Sequence, residues 1–254
     1  MEEDSMIKIS MIFFVLIMAS VPGGAQTDTM YIYQTGSPVY KRAVSTIDSV
    51  IFYKAQGTVT DIEGNIYKTL MIGTQIWMVE NLKVRHYRNG DPIPNVRDTT
   101  LWGSVTTGAY AWYNNDSAGY TSYGILYNWF AATDSRRIAP EGWHVPTDAE
   151  WTTLVIYLGG AAISGGKMKE TGTLHWNNPN TGATNESGFT AIPAGYRYTD
   201  NGSFRQVGSD SDWWSATAVD ITYAWFRNIY FNAASSGRYY YNKQNGFSIR
   251  CVMD

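Results

Sequence analysis

A single cysteine, Cys251, in 254 residues excludes an intramolecular disulfide framework. It lies in an apolar closing pattern, Phe247-Ser248-Ile249-Arg250-Cys251-Val252, and reads as a buried, inert thiol. The three histidines, His86, His144 and His175, are far apart and lack the His-x3-His spacing of a zinc site. Charged residues make up only 16% of the chain and the formal net charge is −3, so there is no basic footprint for nucleic acid. No Gly-x-Ser-x-Gly elbow and no Walker-type phosphate loop occurs, and Ser164-Gly165-Gly166-Lys167 reads as a turn.

The longest apolar run, Ile9 through Ala19, is too short to span a membrane. Preceded by Lys8 and followed by Gly23 and Ala25, it reads as a signal peptide cleaved before Gln26, with Met6 as an alternative start. No cysteine lies near that cleavage point, so no lipid anchor is expected. Removing residues 1–25 takes away Lys8 and three acids, Glu2, Glu3 and Asp4, which moves the balance from 19 bases against 22 acids to −1.

Aromatics are abundant at 15%, with 10 Trp and 19 Tyr. Rings serve two ends: core area in a loop-rich domain, the commoner use for any one ring, or a face that stacks on sugars. Residues 26–56 read as a β-hairpin segment: strands at Met30–Tyr33 and Val39–Lys41 around a Gly36-Ser37-Pro38 turn, with a further strand at Ser49–Tyr53. From Gly57 a meander is predicted, with strands at Thr58–Asp61, Ile66–Ile72 and Gln75–Met78. Tyr123–Ala132 is apolar nearly all round and suggests a short buried helix.

The clearest local signal is Gly142-Trp143-His144-Val145-Pro146-Thr147-Asp148-Ala149-Glu150-Trp151. Pro146 keeps Val145 extended, and Thr147 with Glu150 makes a capping box. Trp151, Leu154, Val155 and Leu158 then form one helix face, ended by Gly159-Gly160. Residues 160–212 read as a long irregular region, and strands are expected at Trp213–Thr217, Tyr223–Phe231 and Phe247–Val252. In the middle strand Trp225, Arg227, Ile229 and Phe231 share one face, and Phe226, Asn228 and Tyr230 the other.

Two sets of residues are candidates for a site. Tyr239, Tyr240 and Tyr241 cannot all face one side of a strand, so at least one ring is accessible, unless Tyr240 fills the core and its neighbours lie flat. The candidate ligand-binding rings are Trp213, Trp225, Tyr239 and Tyr241. Asp210 and Asp212, with Asp200 upstream, are the candidate metal ligands, since loop carboxylates suit a hard cation such as calcium; the alternative is a solvated turn. No catalytic residue stands out.

Asp61–Thr69, Ile72–Leu82, Tyr123–Trp129, Gly142–Thr147, Trp214-Ser215 and Gly246–Val252 together resemble the Fibrobacter succinogenes major paralogous domain over about residues 57–254. That family is similar to the C-type-lectin-like group, which includes the formylglycine-generating enzyme type. The resemblance implies an α+β, C-type-lectin-like fold: two helices, a twisted antiparallel sheet and a long loop region, here preceded by a β-hairpin. It also implies a secreted or cell-surface protein of Bacteroidetes type, mostly without assigned activity. The enzyme branch needs reactive cysteines that this chain lacks, and the Glu-Pro-Asn and Trp-Asn-Asp sugar signatures of calcium-dependent lectins are missing. The expected function is non-catalytic recognition of glycan or a surface protein. The alternative is an assembly role through the hairpin, with an enzyme least expected.

Overall fold

The computed structural model describes residues 57–254 in full, together with the backbone of Ala55, Gln56 and two earlier strands. The chain divides into two compact units, Met1–Phe52 and Tyr53–Asp254. In the first, β1 (Thr29–Gln34) pairs antiparallel with β2 (Ser37–Ala43), Gln34 opposite Ser37. The hairpin expected from the sequence is there, but Ser37 and Pro38, assigned to its turn, lie in β2. Pro38 pairs with Tyr33 beside a register shift, a place where a strand tolerates a residue without an N–H. The leader and the strand expected at Ser49–Tyr53 lie outside the described residues.

The second unit opens with the meander: β3 (Ala55–Thr60), β4 (Ile66–Ile72) and β5 (Gln75–Met78). Its first turn is held by Asp61, whose carboxylate accepts the backbone N–H groups of Glu63 and Asn65 and the hydroxyl of Tyr67. Next come the single-turn helix α1 (Thr99–Trp102), short strands β6 (Tyr110–Ala111) and β7 (Leu126–Tyr127), and the single-turn helix α2 (Trp129–Ala132). The helix predicted over Tyr123–Ala132 is therefore only one turn. Gly124 has φ +81° and sits against Asn81, and Asn128 is extended to cap α2, so two non-helical residues interrupt the apolar run.

Trp143–His144 form β8, which leads into α3 (Asp148–Tyr157). The capping box is present, and Trp151, Leu154, Val155 and Leu158 are all buried, as the periodicity predicts. Each such side chain contributes roughly 1.5–3 kcal/mol on burial. A helix that the sequence reading missed, α4 (Ala161–Met168), follows. Its Ser-Gly-Gly run has poor propensity, but a Cβ at Gly165 would overlap the carbonyl of Ser235, so packing selects the glycine.

Beyond α4 the chain is irregular apart from β9 (Tyr196–Arg197) and β10 (Phe204–Arg205). It then enters a three-stranded antiparallel sheet of β11 (Asp210–Ala218), β12 (Tyr223–Tyr230) and β13 (Ser236–Asn242). The closing run is not the strand expected over Phe247–Val252. Only β14 (Val252–Met253) is regular, and it completes the five-stranded sheet β3-β4-β5-β14-β8. Residues 247–251 instead form a strap bonded on both sides: Phe247 exchanges hydrogen bonds with Tyr127, and Ser248 bonds to Asp212 and Trp214.

The fold is mostly β with a few short helices and curled antiparallel sheets, an α+β arrangement. Successive residues feed two apolar cores. Met78, Trp214 and Cys251 enter one, while Trp77, Trp213 and Val252 enter the other with α3. In the second core Trp151 packs 4.7 Å from Trp77 and 5.9 Å from Trp213, centroid to centroid. Cys251 is fully buried, and burial pushes its thiol far above the usual range.

Candidate functional site

Strand register builds the site. Across β11 and β12, Asp210 pairs with Tyr230, Asp212 with Asn228 and Trp214 with Phe226. Across β12 and β13, Phe226 pairs with Tyr239, Asn228 with Gly237 and Ala224 with Tyr241. Period-2 alternation therefore brings Asp210, Asp212, Phe226, Asn228, Tyr230, Tyr239 and Tyr241 to one face of the sheet. Gly237 adds no side chain opposite Asn228.

On that face lies a cavity of about 110 Å³. Asp210, Asp212, Phe226, Tyr230 and Tyr241 line it from the sheet, and Tyr196, Asn245 and Phe247 line it from β9 and the closing segment. Tyr230 and Tyr241 are partly exposed and put its edge at the surface, whereas Asp210 and Asp212 are each 2% exposed. The Asn228 Nδ2 donates to both carboxyls, to Asp212 at 2.7 Å. Among the described residues neither aspartate makes an ion pair. Burial, and for Asp210 also the charge of Asp212, pushes both carboxyls well above the usual carboxylate range.

The rings predicted to bind ligand divide three ways. Tyr241 lines the cavity, and Tyr239, 54% exposed, flanks it with its ring centroid 6.0 Å from that of Phe226. Trp225 is on the opposite face of β12, where the Arg238 guanidinium lies 3.5 Å from its ring centroid and Tyr240 meets it edge-on. Trp213 corrects the prediction: it is fully buried beside Trp151 and Phe189, its indole N–H bonded to Asn81 Oδ1 at 2.9 Å, so it presents nothing to a ligand. Adjacent tryptophans in a strand buried on both sides simply enter different cores.

Of the three aspartates predicted as metal ligands, Asp210 and Asp212 come together on the cavity floor, and Asp200 does not line it. Asp200 hydrogen-bonds to Tyr198, whose hydroxyl is 3.3 Å from that of Tyr241, so it is a neighbour of the rim. Among the described residues no three His, Cys, Asp or Glu side chains group to hold a metal ion. Two carboxyls shared on one amide do not fit the six to eight oxygens that calcium takes.

Sequence reasoning missed Asn228, Tyr196, Asn245 and Phe247. The legible signal for Asn228 was its place between Phe226 and Tyr230 on one strand face, because an amide between two rings is an unusual choice for an apolar surface. Tyr196 lies in the two-residue strand β9 and Asn245 in a turn, and neither carried a signal.

Elsewhere several charged groups are occupied. A larger cleft of about 690 Å³ holds His144, but its Nδ1 is 2.6 Å from Asp254 and its Nε2 is 2.7 Å from Glu150. His86 and His175 each contact a glutamate, at 2.6 and 2.7 Å. The buried Lys169 ammonium donates to the carbonyls of Thr181, Tyr230 and Ala233. Arg250 bonds Asn81 and the carbonyl of Phe189, and Arg197 clamps the carbonyls of Val96, Arg97, Asp98 and Gly202. These side chains hold loops in place.

Among comparisons with known proteins, a family model described as the Fibrobacter succinogenes major domain matches residues 70–253. No curated protein and no solved structure gives a significant match.

Proposed function

This chain belongs to the Fibrobacter succinogenes major domain family, and on that premise we propose that it is a non-catalytic glycan-binding protein of the bacterial cell surface. In this reading a C-type-lectin-like scaffold, exported by its leader from a Bacteroidetes-type cell, presents the β11–β13 face to sugar. The observation that carries it is the cavity itself: a polar floor of Asp210 and Asp212, aromatic walls, and two accessible tyrosines at its edge. Tyrosine supplies rigid apolar area at low entropic cost, and buried polar groups orient hydroxyls. At about 110 Å³ the cavity admits a substituent rather than a whole sugar ring, far below the 300 Å³ and more of ordinary small-molecule sites. Both carboxyls accept from one amide, which fixes their orientation on the cavity floor.

Thermal melting of the full chain against a glycan panel, with calcium and with chelator, tests the proposal. A ligand that binds only the folded state raises the midpoint, by about 2.7 kcal/mol of stability at one hundred times Kd. The rise is expected for at least one glycan and is expected to fall in Tyr239→Ala and Tyr241→Ala. A panel without any rise would favour the second reading, assembly by strand addition. That reading draws on the two-stranded sheet β1-β2, because a hairpin of this size is marginal by itself. Deleting residues 26–56 would then abolish assembly.

A further inference from the structure

We propose that the cavity between β11, β12 and β13 is a subsite for a primary ammonium group, carried by a de-N-acetylated amino sugar of the bound glycan. The proposal deepens the glycan reading and rests on it for the identity of the carrier, though not for the ammonium itself.

Two carboxyls line the cavity floor, and one buried amide holds both. Asp210 and Asp212 line it, almost wholly buried, and no lysine, arginine or histidine pairs with either among the described residues. Asn228, 1% exposed, donates its amide to both and keeps an Oδ1 with no hydrogen-bond partner. It sits on the strand face between Phe226 and Tyr230, both on the cavity wall. A primary ammonium carries three N–H donors and no acceptor, which matches two carboxyls whose four oxygens share the single side-chain amide of Asn228. A hydroxyl brings one donor and would leave the excess unmet.

The walls favour the same charge. Phe226 and Phe247 lie 4.7 Å apart, Tyr196 is 6.1 Å from Phe247, and Tyr241 is 6.4 Å from Phe226, centroid to centroid. Ring faces attract cations, most strongly where water is excluded. Arg205, the basic group toward this side, acts on the Tyr196 hydroxyl and lies with its guanidinium 4.1 Å over Tyr198, so it leaves the floor uncompensated. Size agrees as well. About 110 Å³ is the liquid volume of roughly four waters, room for an ammonium and the carbon that bears it. The sugar ring itself would rest outside, against Tyr239 and Tyr241. An acetamido group is bulkier and neutral, and it offers one N–H where the ammonium offers three.

Calorimetric titration of the full chain with the tetrasaccharide of glucosamine, and separately with that of N-acetylglucosamine, tests the inference. Methylammonium chloride and calcium chloride serve as probes in thermal melting. The glucosamine chain is expected to bind at least tenfold more tightly than the acetylated one. Asp212→Asn and Asp210→Asn are each expected to lose at least tenfold while their melting midpoints are kept or raised, which separates lost binding from lost folding. Methylammonium is expected to raise the wild-type midpoint and not that of Asp212→Asn. Equal affinity for both chains, unaffected by Asp212→Asn, would overturn the ammonium subsite and leave the glycan reading standing. A methylammonium shift abolished by Asp212→Asn, with neither chain binding, would uphold the subsite and remove the glycan reading. A response to calcium alone, or to no probe, would overturn the inference.

Discussion

Asp212 is the residue on which stability and the proposed recognition pull in opposite directions. Its carboxyl is fully buried beside Asp210, and the groups around the pair are Asn228 and Tyr230 on β12, Tyr239 and Tyr241 on β13, Tyr196 on β9 and Arg205 on β10. Burial raises the native pKa above that of the unfolded chain, near 4, so the native state holds more protons. Stability therefore falls as pH climbs from about 4 through the raised native value. Asp212→Asn keeps an acceptor for Asn228 and removes the cost. Its melting midpoint is expected to exceed that of wild type by roughly 3 °C or more at pH 8.5, about 1 kcal/mol for a chain of this size, and to converge with wild type near pH 4. An equal midpoint at both pH values would mean that the carboxyl is not held up by burial. A buried residue whose replacement stabilises the fold is best explained by a use other than folding.

At the scale of elements, α4 shows how tertiary contact overrides local propensity. Gly165 and Gly166 weaken the helix by roughly 1 kcal/mol each relative to alanine. They are there because the backbone of α4 approaches that of Ser235 and Gly182 too closely for any side chain. Gly165→Ala should therefore destabilise despite its better propensity, by about 1–3 kcal/mol in urea unfolding. A stabilised variant would show that α4 and the start of β13 are not in contact. The same contact fixes the beginning of β13, whose later residue Tyr241 lines the cavity with Tyr239 flanking it. The α3 start needed no tertiary information, because Thr147, Glu150 and Pro146 act on their own neighbours. Where a pattern depended on distant partners the sequence reading slipped. The Phe247–Val252 pattern is apolar like a strand, yet its backbone is shared among Tyr127, Asp212, Trp214, Leu82 and Met78 as a strap.

For the whole molecule, the meander, the capped helix and the family resemblance could be read from the chain, because turns, caps and apolar periodicity are local. The site was legible in part. Asp210, Asp212, Tyr239 and Tyr241 stood out by type, but their convergence depends on the register of β11 with β12 and of β12 with β13. That register is set by which residues two opposed cores accept, and one pattern cannot distinguish Trp213 from Trp214. Asp200 does not line the cavity, although it neighbours Tyr198 beside the rim. We propose that recognition takes place on the β11–β13 face. Hydrogen exchange of the full chain, with and without the glucosamine tetrasaccharide, tests it most directly. Slower exchange confined to residues 210–212, 226–230 and 237–241 is the predicted result. Protection elsewhere with these segments unchanged, at the His144 cleft for example, would contradict it.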